Sequence, residues 1–331
     1  MELMKAAVYE KYGPPEVLQI KEINKPAPKD NEILIKIYAA TVTAGDCETR
    51  RFKIPLMFWL PIRLYMGLLK PRVKILGQEF AGEIEITGKN VTLFKKGDKV
   101  FGATGMKLGA YAEFTCLPDS YAIAIKQDSL NYEEAVTIPV GGLNALFFLK
   151  KANIKNGQHV LINGACGSIG SFAVQYAKLL GAEVTAVDST DKLDTLYSIG
   201  ANHVIDYTKE DFTKNGKKYE VIFDVAGKSS FARSVKSLKK EGYYLLANPR
   251  LWKIVLGLFV SLTGRKKIIT GVASERIEDL IYLNKLIEEG KIKPVIDRTY
   301  SLEQIIEAHK YVEQGYKKGN VVITVKNNNK M

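Results

Sequence analysis

The sequence predicts an α/β protein whose middle third forms a doubly wound parallel sheet. Short runs rich in Val, Ile, Leu and Tyr alternate there with segments of helical spacing, which is typical of βαβ units. Each predicted helix stops at a glycine, a common helix end. The predicted strands are 160–162, 184–187, 204–205, 221–223 and 243–246, and the predicted helices are 171–180 and 193–199.

The first third of the chain is predicted to form short strands separated by Pro, Gly, Asn and Asp. Residues 82–86 alternate polar and apolar side chains with a period of two, as a half-buried strand should. The C-terminal part carries a predicted helix at 302–314 and a last strand at 321–325. The predicted strands of the first third are 6–9, 33–38, 82–86, 99–101 and 109–114.

Length and composition indicate a globular protein of two domains. The 331 residues exceed what one hydrophobic core usually holds. Hydrophobic residues make up 46% and charged residues 25%, which excludes general disorder. The net charge of +12 comes mainly from dispersed lysines. Such a surface is typical of a solvated protein, so we expect no nucleic-acid partner.

The cysteines and the N-terminus indicate a reducing compartment. Cys47, Cys116 and Cys166 are too few and too scattered for a disulfide framework or a thiolate zinc site. The N-terminus lacks the pattern of a signal peptide, and no run reaches the roughly 18 apolar residues of a spanning helix. We therefore expect a cytoplasmic protein without stable membrane insertion.

A glycine-rich loop between a predicted strand and a predicted helix is the sharpest signal in the chain. Its residues are Gly164, Ala165, Cys166, Gly167, Ser168, Ile169 and Gly170. Small residues there let the backbone approach a pyrophosphate, and the helix N-terminus then presents N–H groups to it. A tight turn without a ligand is the alternative. The strand and acidic residue that follow favour a dinucleotide site.

The residues after the next strand point to opposite cofactors. Asp188 ends the strand that follows the glycine loop, beside Ser189, and a carboxylate there favours NAD by accepting a bond from the ribose 2′-OH. Lys192 follows four residues later and could neutralise the 2′-phosphate of NADP. From these residues alone both cofactors stay open, as does the alternative of two exposed loop charges.

Several ordered motifs resemble the medium-chain dehydrogenase/reductase superfamily, and within it the zinc-free quinone oxidoreductase-like (zeta-crystallin-like) branch. These motifs are at 77–82, 97–100, 109–113, 200–207 and 223–227. The resemblance implies a GroES-like, partly open β-barrel domain from residues 1–125 and 271–331. It also implies a Rossmann domain at 126–270, an active site in the cleft, and a homodimer.

Two departures from the zinc-dependent relatives argue against a metal. Thr43 stands where those relatives have a cysteine ligand, and Gln78 stands where they have a histidine. Threonine and glutamine are poor ligands for Zn²⁺. Reducing an activated C=C bond or a quinone needs less help than oxidising an alcohol. The resemblance thus implies NADPH-dependent reduction of a hydrophobic quinone or α,β-unsaturated carbonyl.

The resemblance also assigns site residues. Lys192 and Tyr207 match positions that contact the 2′-phosphate, so NADP(H) is expected, with NAD(H) as the alternative. Thr43, Gln78 and Trp59 are expected on the substrate side. Thr43, Tyr65 or solvent would donate the proton, although Tyr65 could equally be a buried packing residue. The expected cofactor-binding residues are Asn144, Gly164, Ala165, Cys166, Gly167, Ser168, Ile169, Gly170, Asp188, Ser189, Lys192, Tyr207, Ala226, Ala247 and Asn248.

Two apolar segments, 54–69 and 251–262, have basic neighbours. They could form a lid over a hydrophobic substrate, contact a membrane interface, or be core helices or a dimer surface. A second hypothesis for the whole protein is a non-catalytic NAD(P)H-binding sensor or structural protein. The unusual residues Thr43 and Asn144 motivate that hypothesis.

Overall fold

The computed structural model describes residues 2–53 and 56–325, and for residues 56–58 only the backbone. The strands are β1 (Leu3–Tyr9), β2 (Leu18–Asn24), β3 (Glu32–Val42), β4 (Glu79–Thr87), β5 (Lys99–Ala103), β6 (Phe114–Pro118), β7 (Ile123–Ile125), β8 (His159–Asn163), β9 (Glu183–Asp188), β10 (His203–Asp206), β11 (Tyr219–Asp224), β12 (Leu238–Leu246), β13 (Lys267–Thr270), β14 (Ile296–Ser301) and β15 (Asn320–Thr324). The helices are α1 (Ala44–Arg51), α2 (Leu56–Met66), α3 (Tyr132–Ala135), α4 (Ile138–Ala152), α5 (Ser168–Leu179), α6 (Leu193–Ser198), α7 (Phe231–Lys236), α8 (Leu251–Thr263), α9 (Ile277–Glu288) and α10 (Ile305–Gln314).

The chain divides into two compact units. The first comprises Met1–Val140, Glu275–Glu288 and Pro294–Met331, and the second comprises Gly141–Ser274 and Glu289–Lys293. The domain boundaries after residues 125 and 270, inferred from the family resemblance, remain a proposal.

The first unit is built on a mainly antiparallel sheet with the order β14-β15-β3-β4-β5-β7, and β6 pairs with β3. The long strand β3 is central because it pairs with β4, β6 and β15. Strand β4 has the predicted alternation at residues 82–85, where Ile84 is buried between two half-buried glutamates, but Ile86 is exposed. A core of Ile, Leu, Val and aromatic side chains holds the sheet against α10.

The second unit contains the parallel sheet that the sequence predicts. Its six strands have the order β10-β9-β8-β11-β12-β13, and every neighbouring pair is parallel. This is the doubly wound order, in which chain direction across the sheet reverses between β8 and β11. Leu161, Val187 and Ile222 on the inner strands are fully or almost fully buried, as the apolar runs required.

One predicted strand begins later than expected. Residues 109–113 are not part of β6, which starts at Phe114. Gly109 has a φ of +106°, a conformation that ordinary strand residues do not adopt. Ala110 and Tyr111 then donate backbone hydrogen bonds to the loop residues Gly77 and Leu76. Local β propensity was therefore overridden by a long-range loop contact.

Both apolar segments form helices, α2 and α8, while residues 54 and 55 of the first segment lie outside the described residues. Their interpretation as core helices holds for Met66 on α2, which is buried in the core of the first unit, but it is wrong for other large side chains. Tyr65 on α2 and Trp252 and Phe259 on α8 are among the exposed apolar residues. Within the described part of the chain, no helix has the length and apolar character needed to cross a bilayer.

Candidate functional site

The residues predicted to bind a nucleotide gather at one edge of the parallel sheet. The loop Gly164–Gly167 leaves β8 and leads into α5, beside the point where the strand order reverses. Ligands of open α/β sheets bind in the crevice at this point, beyond the carboxyl ends of the strands. The first turn of α5 also directs N–H groups and the positive end of its dipole toward that crevice.

Glycine occurs at two positions of the loop, 170 and 167, for different structural reasons. A Cβ added to Gly170 would lie 2.2 Å from the carbonyl oxygen of Gly164, so this position must be glycine for the helix to approach the loop. A Cβ added to Gly167 would have its nearest neighbour, the same oxygen, at 3.7 Å. Gly167 also has an ordinary extended conformation. Neither packing nor backbone strain therefore requires glycine at position 167, and the sparsely filled space beside it would admit a bound pyrophosphate.

Strand β9 holds the loop in place. The amides of Gly164 and Ala165 donate to the carbonyl oxygen of Val187, at 3.0 and 3.2 Å. The Cys166 amide donates to Asp188 Oδ2 at 2.9 Å. Cys166 is fully buried, so its side chain is a packing residue and only its backbone serves the loop.

The two residues that predicted opposite cofactors form an ion pair with each other. Lys192 Nζ lies 3.0 Å from Asp188 Oδ1, and both side chains are only 7% exposed. The alternative of two exposed loop charges is therefore wrong. Asp188 Oδ1 also accepts a bond from the Ser189 amide at 3.0 Å. The carboxylate thus already accepts three hydrogen bonds, out of roughly four that it can accept.

Tyr207 follows the neighbouring strand β10, and its side chain is 60% exposed. Its amide donates to the carbonyl oxygen of Asp188 at 3.1 Å, which brings the ends of β9 and β10 together. Asp206 beside it was not among the predicted site residues. Hydrogen bonds from the Thr190 and Thr208 hydroxyls lower the pKa of Asp206 to about 2. An acidic residue at the end of a predicted strand was the signal that could have identified it.

The remaining predicted cofactor-binding residues follow β11 and β12, apart from half-buried Asn144 on α4. Ala226 and Asn248 are exposed at the same edge of the sheet. Buried Asp224 organises this region by accepting bonds from Asn163 Nδ2 at 2.8 Å and from the Gly227 amide at 2.9 Å. Ala247 joins the network through its amide, which donates to the carbonyl oxygen of Asp224 at 3.4 Å.

In the first unit, Thr43 caps helix α1. Its hydroxyl accepts a bond from the Asp46 amide at 3.1 Å and its own amide donates to Asp46 Oδ2 at 2.9 Å, which forms a capping box. The Thr43 hydroxyl also donates to Asp46 Oδ2 at 2.7 Å. Asp46 Oδ1 accepts a bond from the Gly77 amide at 3.2 Å. Burial raises the pKa of Asp46 despite these bonds. The Thr43 proton is thus directed at a buried carboxyl group rather than at open space.

Gln78 and Glu79 stand side by side but face different surroundings. A Cβ added to Gly45 would lie 2.6 Å from Gln78 Nε2, so the amide of Gln78 lies over the first turn of α1. Glu79 is fully buried and accepts bonds from the Val140 amide at 2.6 Å and from the Thr41 hydroxyl. Burial raises the pKa of Glu79 to about 7.

The nitrogen and sulfur donors near α1 do not fit a zinc ion. Cys47 Sγ lies 3.3 Å from His309 Nδ1, but Arg50 Nη1 lies 2.6 Å from the same nitrogen. The guanidinium would repel a divalent cation there. Burial, together with the Arg50 charge, lowers the pKa of His309 to about 3, so the ring is neutral. Over residues 2–53 and 56–325, no three His, Cys, Asp or Glu side chains converge as metal ligands.

The predicted proton donor Tyr65 and the predicted substrate-side residue Trp59 both lie on α2. Tyr65 is half exposed, so its interpretation as a buried packing residue is wrong, and its hydroxyl donates to the Met106 carbonyl oxygen at 3.3 Å. Trp59 is 40% exposed and packs edge-on against Phe52. The structure places both on the first unit with Thr43 and Gln78.

The glycine loop, the doubly wound strand order and the open space at Gly167 together define a dinucleotide-binding α/β protein. A dinucleotide fits the second unit because the loop backbone is held close and Gly167 leaves room for a pyrophosphate. Tyr207 offers an exposed ring at the ends of β9 and β10. This class contains many oxidoreductases, and comparison with known proteins identifies the family to which this chain belongs.

Two families match successive parts of the chain. Residues 29–127 match the family described as alcohol dehydrogenase GroES-like domain, and residues 199–323 match the family described as zinc-binding dehydrogenase. A tomato (Solanum lycopersicum) 2-methylene-furan-3-one reductase is 32% identical over 97% of this chain and 79% of its own length. An Arabidopsis thaliana chloroplastic NADPH-dependent alkenal/one oxidoreductase is 29% identical over the same shares.

A solved structure agrees with these relatives. The quinone oxidoreductase from Coxiella burnetii superposes with a TM-score of 0.88 at 29% identity, and it covers 98% of this chain and 100% of its own. The chain belongs to the medium-chain dehydrogenase/reductase superfamily and to its zinc-free quinone oxidoreductase-like branch. The first unit is accordingly the GroES-like part of the fold and the second the Rossmann-like part.

Proposed function

We propose that this oxidoreductase reduces quinones or α,β-unsaturated carbonyls with NADPH and without a metal. The observation that carries the cofactor assignment is the buried Asp188–Lys192 pair. Because Asp188 already accepts bonds from the Cys166 and Ser189 amides and from Lys192, it has little capacity left for a ribose 2′-OH.

The Lys192 cation of this pair and the nearby ring of Tyr207 favour a 2′-phosphate as the ligand. Lys192 places a cation at the end of β9, 3.0 Å from Asp188 Oδ1, and a cation at this position can neutralise a 2′-phosphate. The exposed side chain of Tyr207 follows the adjacent strand and adds a hydroxyl donor. One Arabidopsis relative is named as NADPH-dependent, which supports the same choice.

The substrate class rests on the names of the relatives and on the donor chemistry of the first unit. Those relatives are named as reductases of a methylene-furanone, of alkenals and enones, and of quinones. When bound, NADPH would supply a hydride to an electron-poor carbon of such a compound. Gln78, on the first unit, would orient the carbonyl oxygen of the substrate through its amide.

The geometry favours solvent as the source of the proton. The Thr43 hydroxyl donates to Asp46, and the Tyr65 hydroxyl donates to Met106. Both hydroxyl protons predicted for catalysis therefore already have acceptors within the protein. We accordingly propose Thr43 as a helix cap that positions Asp46, and water as the proton donor. A homodimer and a cytoplasmic location are also proposed.

Steady-state turnover tests the proposal. Purified protein should oxidise NADPH in the presence of a benzoquinone or a 2-alkenal far faster than the uncatalysed reaction, and NADPH should support turnover better than NADH. Binding of NADPH with no turnover of either substrate class would contradict it. That result would favour the second candidate, a non-catalytic NAD(P)H-binding protein, for which the engaged hydroxyls of Thr43 and Tyr65 are the supporting observation.

A further inference from the structure

Helix α8 of the second unit is amphipathic in the opposite sense to an ordinary surface helix. Lys253 and Gly257 on one face are buried, and Ser261 one turn later is half-buried. The opposite face is apolar and exposed, and it includes Trp252, Val255, Leu256, Leu258, Phe259 and Leu262. Surface helices normally bury their apolar stripe and expose the polar one.

Specific contacts fix this orientation of the helix. Lys253 Nζ donates to the carbonyl oxygens of Gly227 and Ser229 at 2.8 and 3.0 Å. A Cβ on Gly257 would lie 2.7 Å from Ile268 Cγ2, so the helix packs closely on β13 at that point. Rolling α8 to bury its apolar side chains would break the Lys253 bonds and open this contact. The apolar face is therefore a stable feature of the surface.

Basic residues frame the apolar face. Between residues 242 and 274 the chain has five Lys or Arg and no Asp or Glu. Arg250 precedes α8, and Arg265 and Lys267 follow it, all with exposed side chains. Glu241 faces Arg265 at 3.6 Å, but both side chains are about two-thirds exposed, so this pair neutralises little of the charge.

A second copy of the chain is a poor occupant for this face. In a two-fold contact centred on α8, the same patch packs against itself. With α8 in either relative direction, basic ends of one helix would then meet basic ends of the other, and like charges at an interface are costly. An anionic surface instead complements the basic frame while the apolar side chains leave water.

We propose that α8 docks the protein on anionic lipid bilayers. The helix has 13 residues, about 20 Å, which is too short to span a hydrocarbon core of about 30 Å. It would lie in the interface, with Trp252, Leu258 and Phe259 among the acyl chains and the flanking basic residues against lipid phosphates. This surface is independent of the proposed hydride transfer.

Co-sedimentation of the full chain with lipid vesicles tests the proposal. Protein should pellet with vesicles of phosphatidylcholine and phosphatidylglycerol at low salt and much less with phosphatidylcholine alone. Leu258→Glu should weaken the partition by roughly tenfold or more. Leu93→Glu is the matched control, because Leu93 in the first unit has almost the same exposure, 64% against 62%, and should bind like wild type.

Three results would overturn the proposal. Wild-type protein could fail to prefer anionic vesicles, either because it stays in the supernatant at low salt or because it binds neutral vesicles equally. Leu93→Glu could also lose binding as much as Leu258→Glu does. Light scattering after gel filtration provides the third: if Leu258→Glu splits a dimer while vesicle binding is unchanged, a second copy covers α8 instead. Both variants change exposed positions, so folding is not at issue.

Discussion

Glu79 shows how burial changes the chemistry of a carboxyl group. It is fully buried, yet it accepts bonds from the Val140 amide and the Thr41 hydroxyl. Burial dominates over these bonds and raises its pKa from 4.5 to about 7. The folded protein therefore holds a proton on Glu79 through a pH range in which the unfolded chain has released it.

This difference predicts a pH dependence of stability. Between about pH 4.5 and 7 the folded state binds more protons at Glu79, so the free energy of unfolding falls as pH rises. Glu79→Gln should remove this fall, which amounts to about 3 kcal/mol in full. Urea denaturation at pH 5 and pH 8 measures it. Glu288→Gln, an exposed control, should keep the wild-type slope, and an unchanged slope in Glu79→Gln would refute the prediction.

Thr43 provides a second prediction that concerns a single residue. Thr43→Ala removes the capping hydroxyl and one donor to buried Asp46, so it should lower the free energy of unfolding by about 1–2 kcal/mol. Thr43→Ser keeps the hydroxyl and should recover most of that loss. Thermal unfolding of the two variants makes the comparison. A stable Thr43→Ala protein that has lost turnover would instead identify Thr43 as a catalytic residue.

For individual residues, the sequence predicted which residue types would be of interest better than it predicted the partners that they contact. Asp188 and Lys192 were predicted to favour opposite cofactors, but their mutual ion pair was not predicted, because it depends on the 3-10 turn Thr190–Lys192. Spacing alone could not predict that turn. Arg50 was not among the predicted site residues, because its contact partner His309 is distant in the sequence.

Among the elements, the loop between β8 and α5 gives the sharpest test of the cofactor site. Gly167→Val should leave the fold nearly unchanged and weaken NADPH binding at least tenfold, because its side chain would occupy open space. Gly170→Val should destabilise the fold itself, since its Cβ would lie 2.2 Å from the Gly164 oxygen. Melting temperature and NADPH titration separate the two effects. Equal NADPH affinity of Gly167→Val and wild type would show that no nucleotide uses this space.

Strands and helices were predictable where hydrophobic periodicity was continuous. The parallel sheet and α5 were found from apolar runs and from the glycine pattern. The start of β6 was not, because Gly109 and the bonds of Ala110 and Tyr111 to a distant loop decided it. The outward orientation of the apolar face of α8 could not be predicted either, because hydrophobic periodicity does not show which face of a helix the fold buries.

For the whole molecule, the account predicts activity without metal. Treatment with a strong chelator, followed by gel filtration, should leave NADPH-dependent turnover unchanged. The reason is that Arg50 already contacts His309 Nδ1 near Cys47, and the Thr43 hydroxyl already donates a hydrogen bond to Asp46. Elemental analysis should find far less than one zinc per chain. Loss of turnover on chelation, restored by Zn²⁺, would contradict the prediction.

The central claim is that the ends of β9 and β10 select NADPH, and a fluorescence titration with NADPH and separately with NADH tests it most directly. The account predicts NADPH binding at least tenfold tighter. Tyr207→Ala should reduce this preference, whereas Tyr197→Ala, a similarly exposed tyrosine on α6, should retain it. Tighter binding of NADH would contradict the account, because it would mean that Asp188 accepts the ribose 2′-OH despite its bonds to Cys166, Ser189 and Lys192.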